Sequence, residues 1–106
     1  MFFRKKCVTD LIVQDRELID SAEKLLDVIT TKVKDESVVK ETNETKEMIH
    51  FLAPSIDKKV ISMDQEIKKT IDDFVKDVIT EKLNIEKMLK RITDIKVLVA
   101  QRNSRA

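Results

Sequence analysis

Glycine, tryptophan and tyrosine are absent from this chain of 106 residues, and proline, cysteine and histidine occur once each. Each absence excludes something. Without glycine there is no residue at ease with positive φ, so the tight hairpin turns of a small β-protein lack their usual residue. Phosphate-cradling glycine loops are excluded for the same reason. A single cysteine, Cys7, cannot form a disulfide within the chain, which suits a reducing, cytoplasmic compartment. One histidine and one cysteine cannot supply a structural zinc site. No apolar run approaches the roughly 20 residues of a membrane span. The opening "MFFRKK" is basic, but Asp10 interrupts the residues after it, which argues against a secretory signal peptide.

Charge and aliphatic side chains dominate instead. Charged residues make up 39% of the chain and hydrophobic residues 42%, against about 25% charged in an average globular protein. Plentiful, periodic apolar residues set against high charge describe amphipathic helices rather than disorder. The net charge is +1, so the whole molecule exerts no strong pull on nucleic acid or membrane. The charge is unevenly spread. Residues 1–34 carry +1, residues 35–81 carry −5 and residues 82–106 carry +5.

The size fits one all-helical domain over residues 1–106. The first periodic segment covers about residues 4–34. Its apolar residues fall on three tracks of seven: Val8, Ala22 and Ile29, with Asp15 in the open slot; Leu11, Leu18 and Leu25; and Ile12, Ile19, Leu26 and Val33. Adjacent tracks make a stripe wide enough for a helix that touches two neighbours. Asp15 is expected at the solvated edge of that stripe, with a buried polar layer as the alternative. A connection is predicted near residues 34–37, with Asp35 or Ser37 as N-cap. The next helix, about 37–52, places Val38, Thr42, Thr45, Ile49 and Leu52 on one face.

Pro54 ends that helix, because the residue before a proline is pushed out of the α region. Ser55 is the expected cap of the next one, with Pro54 in its first turn as the alternative. From there the apolar spacing continues unbroken, so a long C-terminal helix is predicted over about residues 55–102. It would span about 70 Å. A bend near Thr80–Asn84 is the alternative. The expected fold is therefore an all-α bundle or coiled coil of three or four helices, with oligomerisation expected from the length of the last one.

The strongest pattern is a heptad track of β-branched residues, Ile71, Val78, Ile85, Ile92 and Val99, with Phe74, Met88 and Ile95 three or four positions along. Read as a and d positions, these eight residues form a candidate interaction seam for self-association or for another helical protein. The stretch "HFLAPS" (His50–Ser55) resembles the histidine box of sensor kinases, where a phosphorelay histidine precedes a proline. Here no acidic residue follows the histidine and two large apolar residues intervene. His50 is read as the last turn of a helix, where a partly positive ring suits the negative dipole end.

"KLNIEKMLKRITDIK" (Lys82–Lys96) is similar in pattern to the KxDL-motif subunits of lysosome-associated coiled-coil complexes, with Asn84 and Ile85 in place of that motif's aspartate and leucine. The segment from Val39 to Ile71 resembles chemoreceptor signalling helices, without their glycine hinge. No catalytic, metal or cofactor residues are assigned. The expected function is a non-enzymatic helical scaffold or adaptor. The alternatives are a signalling module, either chemoreceptor-like or using His50 for phosphotransfer, and phosphate-backbone binding to nucleic acid by the basic C-terminal helix.

Overall fold

The computed structural model describes residues 8–81 and 83–105. Cys7 and the "MFFRKK" stretch lie outside the described residues. Those described form four α-helices: α1 (Val8–Lys32), α2 (Glu36–His50), α3 (Lys58–Glu81) and α4 (Ile85–Arg105). The all-α bundle expected from the sequence is what the chain adopts.

Two helical hairpins lie side by side. Helix α1 packs against α2 and α3, and α4 packs against the same two, so α1/α4 and α2/α3 are the diagonals. The α2–α3 connection crosses a diagonal. As a result α1 and α3 run parallel, as do α2 and α4. The core contains Ile19, Ala22, Leu26 and Ile29 of α1, Val38 and Ile49 of α2, Ile67, Ile71 and Phe74 of α3, and Ile92, Ile95 and Val99 of α4. These keep to the three- and four-residue steps of a bundle-facing stripe.

Each joint has a physical cause. Asp35 caps α2, its carboxylate accepting from the Val38 N–H at 3.1 Å. Helix α2 stops at His50, and the Phe51 N–H donates back to the Glu47 carbonyl at 3.2 Å. Helix α3 does not start at Ser55 as expected. Asp57 is its cap, with Oδ1 accepting from the Lys59 N–H at 2.8 Å, while Ser55 Oγ accepts from the Asp57 N–H at 3.0 Å.

The long C-terminal helix is two helices. Asn84 interrupts it: its Oδ1 accepts from the Lys87 N–H at 2.8 Å, and its carbonyl accepts from the Met88 N–H at 3.0 Å, which starts α4 anew. Folding back buries both halves of the apolar stripe against each other within one chain. An unbroken helix of about 70 Å would exceed the molecule's longest dimension of 55 Å.

Candidate functional site

The predicted seam lies inside the molecule. Ile71, Phe74 and Val78 of α3 and Met88, Ile92, Ile95 and Val99 of α4 are all buried in the core. Ile85 alone is at the surface, 37% exposed at the start of α4. It borders an open apolar cleft of about 500 Å³ between the two hairpin turns, lined by Val33, Val78, Ile79, Leu83, Ile85 and Met88 with Lys32, Lys34 and Asp35 around them. His50 is the last residue of α2, and its Nδ1 lies 2.8 Å from Glu23 Oε1. It is largely exposed and sits within a turn of the break before Pro54.

The opposite end of the bundle holds a buried polar layer. Asp15 is not at a solvated edge, as its place in the α1 stripe led one to expect; it is fully buried. Arg102 reaches inward from the last turn of α4 and donates from Nε to Asp64 Oδ1 at 3.0 Å and from Nη2 to Asp64 Oδ2 at 3.2 Å. The same Nη2 donates to the Ala53 carbonyl at 2.6 Å and lies 3.5 Å from Asp15 Oδ2. Asp15 Oδ2 also accepts from the Ser55 N–H at 2.8 Å, while its Oδ1 is buried with no hydrogen-bond partner. One guanidinium thus faces two carboxylates in a buried layer. Burial is the first cause that pushes the Asp64 carboxyl up to about 7; the neighbouring Asp15 carboxylate pushes the same way, and Arg102 opposes.

The side seams of the bundle differ from one another. The α1/α2 seam is crossed by an ion pair between Lys46 and Asp27 and by His50 with Glu23. The α3/α4 seam is crossed by Arg91 and Asp77 at 2.9 Å, with the Arg91 guanidinium 5.4 Å from the Phe74 ring centre. In the α2/α4 seam Lys96 is held between Glu41 at 2.6 Å and Glu44 at 3.2 Å. Burial opposes the charge on Lys96, but the bonds to both carboxylates prevail and hold its ammonium above the ordinary lysine value. The Lys96 hydrogen bond holds the Glu41 carboxyl below its usual range.

The parallel α1/α3 seam has no such lacing among the described residues. Three depressions follow one another along it as a shallow groove: the middle one shares Gln65 with its neighbour on one side and Lys68 and Asp72 with its neighbour on the other. Its floor carries Leu11, Leu18 and Leu25, each half-buried. Its rim carries Lys24, Lys58, Lys68 and Lys69. Asp72 is the one carboxylate in the lining, and it is already paired with Lys76 at 3.2 Å.

Among the described residues no group of three or more histidine, cysteine or acidic side chains could hold a metal ion. None of the described helices is long and apolar enough to cross a membrane. Comparison with protein-family models, with curated proteins and with solved structures finds no match to this chain.

Proposed function

We propose that this chain is a non-enzymatic helical adaptor that acts by protein–protein contact. One observation carries the reading: the α1/α3 groove, where a leucine track remains half-buried while the other three seams are bridged by ion pairs. The track repeats every seven residues, the period on which a helix docks against another helix. The candidate seam of α3 and α4 already covers itself, so the docking surface is assigned to α1 and α3 instead.

A photoreactive residue at Leu18 tests this in cells that make the protein, with Asn43, exposed on α2, as the reference position. The expected result is a covalent adduct formed from position 18 and not from position 43, with mass spectrometry placing the cross-link on a helical segment of another protein. No adduct, or the same adducts from both positions, would sink the reading.

A further inference from the structure

We infer that the α1/α3 groove receives an acidic amphipathic helix of another protein, about four turns long. The inference rests on the adaptor reading and adds the chemistry of the partner.

The floor fixes the shape of the occupant. Leu11 to Leu25 spans fifteen residues of α1, a rise of about 21 Å. A partner helix of similar length would lay one apolar stripe along these leucines and exclude water from them.

The rim fixes its charge. Lys24 on α1 and Lys58, Lys68 and Lys69 on α3 border the groove, and none is in an ion pair among the described residues. Elsewhere Lys46, Lys76, Lys96, Arg91 and Arg102 each have a carboxylate partner, whereas Lys40, Lys59, Lys87 and Lys90 have none among the described residues; what sets the rim apart is that its four lysines line one leucine-floored surface with Asp72 as the one acidic lining residue. Four unpaired ammonium groups along an apolar floor complement a helix that carries glutamate or aspartate beside its apolar stripe. They would also steer its approach and disfavour a basic helix.

A second copy of this chain fits less well. Its most acidic helix relative to length, α2, already turns its apolar face inward, with Val38, Thr42, Thr45 and Ile49 buried.

The test uses the full chain and two synthetic helical peptides of sixteen residues. Both carry leucines at heptad spacing; one is flanked by glutamate, the other by lysine. The glutamate peptide should bind saturably, weaken with added salt, and shift the amide resonances around Leu18, Gln65 and Lys68. Lys68→Glu with Lys69→Glu should weaken binding at least tenfold and leave the melting curve unchanged. Lys87→Glu with Lys90→Glu, on exposed α4 positions, should leave binding as it was. Equal binding of both peptides, shifts on another face, or no saturation at millimolar peptide would overturn the inference. So would binding only to phosphatidylserine vesicles, or a rise in the chain's own mass that Lys68→Glu abolishes. If the peptide fails while Leu18 still yields a protein adduct, the partner's chemistry is wrong and the adaptor reading stands. If both fail, both fall.

Discussion

Arg102 and Asp64 meet through two parallel contacts, Nε to Oδ1 at 3.0 Å and Nη2 to Oδ2 at 3.2 Å, with each side chain only 2% exposed. The pair ties the last turn of α4 to the second turn of α3. Through the Ala53 carbonyl and Asp15 it also ties both to the α2–α3 connection and to α1. A bidentate guanidinium–carboxylate contact is stronger and more directional than a neutral hydrogen bond. Its burial means that its value lies in what happens when one partner is removed.

Arg102→Met should therefore destabilise the bundle by about 3–5 kcal/mol at neutral pH, because two buried carboxylates lose their cation. Replacing Asp15, Asp64 and Arg102 together by apolar residues of similar volume should recover most of that loss. Urea denaturation followed by circular dichroism measures both. Similar midpoints for Arg102→Met and the native chain would show that the layer is not closed in solution.

The pH dependence comes from the same layer. Asp64 faces Asp15 from α1 and Arg102 from α4, and the α2–α3 connection contributes the Ala53 carbonyl and the Ser55 amide. Its carboxyl is raised from 3.8 to about 7, first by burial. A raised folded-state pKa means that the native state holds the proton more tightly than the unfolded chain. The stabilisation from this group is full below about pH 4 and is lost as the pH rises to about 7. Surface carboxylates such as Glu41 act in the opposite sense, their contribution being lost at acid pH. Asp64→Asn isolates the effect. The variant's stability should fall less than the native chain's between pH 4 and pH 8, and identical slopes would refute the assignment.

Helical periodicity was legible because apolar burial repeats every three to four residues whatever the partner. The β-branched track and the faces of α1 and α2 emerge directly from it. The break at Asn84 was harder to see, since asparagine can sit within a helix and no glycine or proline marks the turn. Its capping bond depends on the chain folding back, a tertiary event. The polar layer was hidden more deeply. Asp15, Asp64 and Arg102 each occupy a core position of their own helix. Asp15 lies seven residues before Ala22, Asp64 seven before Ile71 and Arg102 seven after Ile95. A charge in a core track reads as a local blemish when taken alone. That three such charges fall at one end of the bundle, across 87 residues of sequence, is visible only in three dimensions.

Substitutions along the α3/α4 track should separate buried positions from the surface one. Ile92→Asp places an unpaired charge at a fully buried site and should cost several kcal/mol, on the order of 3–5, enough to unfold a marginal domain. Ile85→Asp sits at the rim of the end cleft, 37% exposed, and should cost about 1 kcal/mol. Thermal melts of the two variants give the comparison. Equal losses would mean that Ile85 is covered in solution by something the single chain does not supply.

The folded-back hairpin also changes what is expected of self-association. A continuous helix over residues 55–102 would leave half of its β-branched track needing a second chain. With the break at Asn84, α3 and α4 cover that track for each other, and Ile71, Phe74, Ile92, Ile95 and Val99 are all buried within one chain. The strongest reason for dimerisation lapses with it. Light scattering at micromolar concentration should then give a mass near the 12.3 kDa of a single chain. Adding the glutamate-flanked peptide should raise the mass by one peptide and no more, because the α1/α3 groove is a single site. A mass of twice the chain, unaffected by charge reversal at Lys68 and Lys69, would point instead to the end cleft around Ile79 and Ile85 as an interface between copies.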